Sequence, residues 1–142
     1  MSTTLSAPPP FSWPVRVYWE DTDAGGIVYY ANYLKFFERS RTEWLRAKGI
    51  EQQALRAASG GMFVVSEAQI RYLRSARLDD ELLITTTLLE AGRASLTLHQ
   101  QAWHHSGPDR VLLCEATIRA GWVDANSVKP ARIPQQILYA LT

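Results

Sequence analysis

The stretch Glu20–Gly49, EDTDAGGIVYYANYLKFFERSRTEWLRAKG, decides the fold. Its first part sets Asp21 and Asp23 against the pair Gly25-Gly26. Adjacent Asp and Gly signal a turn, because Asp bonds its own backbone and Gly accepts positive φ. Its second part has helical period: Tyr30, Tyr33, Leu34, Phe36, Phe37, Ser40, Trp44 and Leu45 fall on one broad arc. Lys35, Arg39, Thr42, Glu43 and Arg46 fall opposite. Arg41 lies on the apolar arc and reads either as a cation snorkelling to the rim or as a partner of Glu38. Arg46, Lys48 and then Gly49 form a C-terminal stop. Backbone N–H groups at the start of such a helix are unpaired and carry partial positive charge. A carboxylate, a polarising helix end and an apolar surface in one short stretch are the parts of an acyl-transfer site.

Outward from this stretch the chain reads as strands. Val15–Trp19 alternates as a first strand before the acidic turn. Glu51–Ala58 reads as a short helix stopped by Ser59-Gly60-Gly61. Met62–Arg74, Leu82–Leu89, Ser95–His104 and Val111–Val123 follow as strands. Gly92-Arg93 and Ser106–Asp109 are the turn signals between them. In the second strand Val64, Ser66, Ala68, Ile70 and Tyr72 share a face; in the fifth, Leu112, Cys114, Ala116, Ile118, Ala120 and Trp122 do. Pro134–Leu141 closes the chain as a short helix. One long helix between the first two strands, then a run of long antiparallel strands, is an α+β pattern. A single sheet wrapped around that helix buries most of its girth, and Ser40 is small enough to let the two approach.

Length and composition set limits. The 142 residues make one domain, expected over residues 14–142 behind a flexible lead-in over 1–13 that carries Pro8-Pro9-Pro10. Hydrophobic residues at 46% suffice for a core, and a net charge of +1 gives no nucleic-acid footprint. The N-terminus has neither a basic residue nor an apolar run, so a secretory signal and a membrane span are not expected, and the compartment expected is the cytoplasm. Cys114 is the only cysteine, which excludes an internal disulfide and a cysteine metal site. It alternates with core residues and reads as core itself. His99, His104 and His105 form no HExxH pattern, so no metal is expected.

The run RVYWEDTDAGGIVYYANYLKFFERSRTEWL, with ARLDDEL at Ala76–Leu82, resembles the hotdog-fold acyl-CoA thioesterases. These include the hydroxybenzoyl-CoA thioesterases and the YbgC type associated with the Tol-Pal system. The resemblance covers roughly Val15–Val123. It implies a curved antiparallel five-stranded sheet around a central helix. It also implies homodimers or homotetramers with active sites at the dimer interface, acyl-CoA as substrate, and no cofactor. It places the catalytic aspartate at Asp23, the carbonyl-polarising N–H near Tyr30 at the start of the helix, and Gly26 among the substrate-binding residues. Glu38 falls where the aryl-specific branch carries an acidic group, and Arg93 and Ser95 match the loop that contacts coenzyme A phosphates. Tyrosine at position 30 agrees with the hydroxybenzoyl branch, whereas YbgC members usually carry histidine there.

Chemistry supports the first two roles. Thioester hydrolysis needs a nucleophile, direct or as activated water, and a donor for the developing oxyanion. Asp23 can attack or deprotonate water; the sequence leaves both routes open. Asp21 reads as a turn-fixing residue. Three classes compete: a thioesterase for short or medium aliphatic or aryl acyl-CoA; a hotdog dehydratase; and a non-catalytic acyl-CoA binder or envelope-complex interaction protein. The second requires a histidine beside the helix, and none precedes His99. The complete acidic motif favours the first over the third.

Overall fold

A computed structural model describes residues 10–106 and 108–142. The elements run β1 (Phe11–Arg16), a 3₁₀ turn (Trp19–Asp21), α1 (Asn32–Ala47), α2 (Gln52–Ser59), β2 (Gly61–Tyr72), β3 (Glu81–Ala91), β4 (Ser95–Ser106), β5 (Asp109–Asp124) and α3 (Gln135–Leu141). The five strands form one antiparallel sheet in the order β1-β3-β4-β5-β2. This is the α+β architecture expected, a single sheet wrapped around α1.

The helix buries Tyr33, Phe36, Phe37, Ser40, Trp44 and Leu45, the apolar arc read from its period. Leu34 departs from that arc and is exposed. Against the helix stand Leu82, Ile84, Leu96, Leu98, Ile118 and Trp122 from the sheet. Ser40 is fully buried, and its hydroxyl reaches the Ile84 carbonyl at 3.3 Å, so the helix meets the sheet closely there.

Two features differ from the sequence reading. The first strand occupies Phe11–Arg16, not Val15–Trp19, and so begins inside the segment expected as the lead-in. Trp19 leaves the strand because the Asp21 carboxylate accepts the Tyr18 N–H at 2.8 Å and tightens the chain into a 3₁₀ turn. Pro14 is tolerated because β1 is an edge strand, paired only with β3. The remainder of the lead-in, 1–9, lies outside the described residues, as does Gly107 of the expected Ser106–Asp109 turn.

The second difference is in the face assignments. A register shift between Val65 and Glu67 interrupts the alternation expected along β2. Another, between Ala102 and Trp103, makes Trp103 pair with Leu112 and turns Leu112 off the face that Cys114, Ala116, Ile118 and Trp122 share. Strand β2 pairs with β5, not with β3, and so becomes the second edge of the sheet. No helix among the described residues is long and apolar enough to cross a membrane.

Candidate active site

The acidic turn is a small hairpin. Thr22 bridges Val28, the Asp23 N–H donates to the Ile27 carbonyl at 2.9 Å, and the Gly26 N–H donates back to the Asp23 carbonyl at 3.1 Å. Gly26 takes φ +78°, which a side chain would resist. Asp23 Oδ1 accepts the Gly25 N–H at 2.8 Å, fixing the carboxylate over the turn, while the residue stays exposed. The hairpin is anchored from below: Val28 N–H donates to the Ala76 carbonyl and Leu78 N–H to the Gly26 carbonyl. ARLDDEL therefore serves as the bracket that holds the acidic turn.

Asp21 has the structural place expected of it. It is buried, and its carbonyl accepts both the Tyr29 N–H at 3.0 Å and the Asn32 side-chain amide at 2.8 Å. That pair of bonds ties the turn to the first residue of α1. The helix proper starts two residues later than Tyr30, which occupies a turn ahead of it. The Tyr29 and Tyr30 carbonyls accept the N–H groups of Asn32 and Tyr33. The N–H groups of Tyr30 and Ala31 have no acceptor among the described residues. These are donors in the strong position at a helix start.

Asp23 and Tyr30 line one cleft of about 340 Å³ with Tyr29, Tyr33, Tyr72 and Arg74. Among the described residues Asp23 is its only carboxylate and Arg74 its only cation. The Tyr72 ring meets Tyr30 in a T-shaped contact at 5.7 Å between centroids and lies tilted against Tyr33 at 5.8 Å. Burial pushes the Tyr33 phenol up, partly offset by the bond from the Ala76 N–H, and burial also raises Tyr72. Both rings are thus neutral walls rather than bases. No histidine lines the cleft: His104 faces Asp80 at 3.5 Å and His99 faces Glu115 at 3.7 Å.

The other expected site residues lie elsewhere in the chain. Glu38 accepts a hydrogen bond from Thr42 at 3.0 Å and borders a second pocket of about 230 Å³, between α1 and the first half of β2. Arg93 and Ser95 sit at the β3–β4 hairpin, at the level of Gly121 and the Gly61 end of β2. The Asp23 turn is at the opposite end, beside the start of β3. With β3 eleven residues long, the two ends are roughly 30 Å apart. One chain therefore unites Asp23, Gly26 and Tyr30 but separates them from Glu38, Arg93 and Ser95. No metal-binding cluster occurs among the described residues.

The sequence reading does not mark Tyr72 as a cleft wall. It also paired Arg41 with Glu38 or with the rim; the guanidinium instead donates to Gln100 Oε1 at 3.0 Å. No sequence signal links Arg41 to a residue on β4, since only the sheet brings them together.

Comparison with known proteins bears on the fold and the family. The thioesterase-like superfamily matches residues 17–141. The acyl-CoA thioester hydrolase YbgC of Escherichia coli O6:H1 is 44% identical over 138 residues, covering 97% of this chain and 96% of that protein. The acyl-CoA thioesterase YbgC of Haemophilus influenzae is 42% identical over 127 residues, 89% of this chain and 90% of that protein. Among solved structures, a probable thioesterase from Bartonella henselae superposes with a TM-score of 0.80 at 33% identity, covering 89% of this chain and all of that one. An acidic hairpin held against a helix start, in a fold shared along almost the whole chain with such relatives, leaves one assignment: the chain belongs to the thioesterase-like superfamily.

Proposed function

We infer that this chain is an acyl-CoA thioester hydrolase, cleaving an acyl-CoA to the free acid and coenzyme A. The observation that carries the reading is the Asp23 carboxylate, fixed over its turn, in the same cleft as Tyr30, whose backbone N–H has no acceptor among the described residues. The thioester oxygen docks on the Tyr30 N–H, which favours negative charge on that oxygen. The Asp23 carboxylate then adds to the carbonyl carbon or removes a proton from a water that does. The carbon–sulfur bond breaks as the oxyanion collapses, and coenzyme A leaves as its thiol after protonation. In the direct route water then hydrolyses the mixed anhydride and restores the aspartate. Both routes use the same carboxylate and the same donor.

The working unit is a homodimer, or a tetramer built from it. Strand β2 is a sheet edge of twelve residues with Val65, Tyr72 and Leu73 exposed along or just past it. Such an edge invites pairing. If β2 pairs antiparallel with β2 of a second copy, the Gly61 end of one meets the Tyr72 end of the other. That swap carries Glu38, Arg93 and Ser95 of one copy toward Asp23 and Tyr30 of its partner. Arg93, with Ser95, then serves the phosphates of coenzyme A. A cytoplasmic location suits a substrate of this kind.

The test is coenzyme A release, followed by thiol titration, from a panel of short, medium and aryl acyl-CoAs. Turnover of at least one class is expected. Binding without release across the whole panel would make the chain a non-catalytic acyl-CoA binder.

A further inference from the structure

The pocket between α1 and β2 contains a cation that the chain itself does not use up. Phe63, Val64, Leu96 and Leu98 make apolar walls. Arg41 lines the same space. Its guanidinium makes one hydrogen bond among the described residues, to Gln100 Oε1, and no ion pair. A guanidinium carries five N–H donors. Burial lowers its pKa from the ordinary arginine value, and Glu38 opposes that shift. A partly desolvated cation with empty donors is costly unless something accepts from it.

The cation is also built in. Gln100 is fully buried, and its Nε2 donates to the Phe37 carbonyl at 2.9 Å and to Thr86 Oγ1 at 2.8 Å. A carbonyl only accepts, so the amide nitrogen faces Phe37 and the oxygen is left for Arg41. Thr86 and Ser40 share a bond at 2.7 Å, and Ser40 reaches the Ile84 carbonyl. Every member of this buried chain is satisfied internally. The unfilled donors are those of Arg41, at the end that borders the pocket.

We propose that this pocket receives the acyl tail, and that Arg41 selects acyl groups carrying an acceptor oxygen at their far end. The inference rests on the thioesterase reading and on the two-copy site, which sets this pocket beside the partner's reacting carbonyl. Its volume of about 230 Å³ lies below the roughly 300 Å³ at which small-molecule pockets begin, so it suits a short tail rather than a nucleotide. The oxygen comes from a carboxylate or from a hydroxyl. Arg41 donates to either, and Glu38, at the border of the same pocket, additionally accepts from a hydroxyl.

The experiment compares kcat/KM for hexanoyl-CoA, 6-hydroxyhexanoyl-CoA and adipoyl-CoA, in wild type, Arg41→Met and Arg41→Lys. Wild type is expected to favour at least one oxygen-bearing substrate over hexanoyl-CoA by about ten- to a hundredfold, the scale of a hydrogen bond to a charged group. Arg41→Met should bring that ratio close to one, and Arg41→Lys should leave it in between. The ratio within each variant is the readout, so a general loss of activity does not imitate the effect. If Arg41→Met does not fold, Arg41→Lys and the wild-type ratio still decide. Equal kcat/KM for all three in wild type, or an unchanged ratio in both variants, overturns the inference while leaving the thioesterase reading intact. No release from any thioester in the wider panel removes that reading, and this inference with it.

Discussion

Cys114 shows what burial does to a single side chain. It is fully enclosed on β5, and burial pushes its thiol up to about 12, with Glu115 adding to the effect. An unfolded cysteine ionises near about 8.5. The native thiol therefore keeps its proton where the unfolded one loses it, and the native state is favoured less as pH rises through about 9. Iodoacetamide at about pH 9 is expected to leave the native protein unmodified and to alkylate it fully in denaturant; rapid native alkylation would contradict the packing. The core role of Cys114 was legible from its alternation with Ala116 and Ile118. So was the structural role of Asp21 beside the exposed Asp23, because aspartates shortly before a Gly-Gly pair imply a turn. Arg41 was not legible: its partner Gln100 lies 59 positions away, and helical period alone cannot say what a sheet will bring beneath a helix.

Among the elements, α1 was the most readable, since six buried residues repeat at its period. Strand β2 was the least. Its bulge breaks the period-two signal, and its partner β5 is chosen by the sheet as a whole. The start of β2 shows how close packing fixes such a strand. A methyl group placed on Gly61 would lie 2.4 Å from the Trp122 ring, which packs edge-on against Phe63 at 4.9 Å between centroids. Gly61→Ala must displace that indole, and overpacking of this kind costs about 1–3 kcal/mol. Denaturant unfolding of Gly61→Ala should show a lower midpoint at unchanged slope. A midpoint equal to wild type would mean that the Trp122 ring has room to retreat.

At the scale of the whole molecule, the residues that the sequence groups into one function are divided between the two ends of the sheet. Spacing along the chain could not reveal this, because β3 and β4 carry Arg93 away from Asp23 by the length of a strand. The proposed pairing of β2 with its copy would restore the grouping. Sedimentation at micromolar concentration is accordingly expected to show a dimer, or a tetramer made from it, and a monomer alone would remove the shared site. Arg93→Ala is a second probe of the same assembly. It should raise KM for acyl-CoA by about ten- to a hundredfold, the loss of a charge-assisted hydrogen bond. A short thioester lacking the nucleotide should be hardly affected, since it has no phosphate to lose. Equal losses on both substrates would take Arg93 out of the phosphate site.

The central claim is that the Asp23 carboxylate performs or activates the attack on the thioester. Asp23→Asn retains an oxygen that can accept the Gly25 N–H, and hence the turn, but removes the negative charge and the nucleophile. Steady-state coenzyme A release by this variant, on the best substrate of the panel, tests the claim most directly. The expected result is a kcat lower by about 10²-fold or more, the scale of losing a positioned base. KM should change little, as for an interaction made only in the transition state. Near-full turnover by a folded, dimeric Asp23→Asn protein would contradict the assignment and leave the acidic turn as scaffold alone.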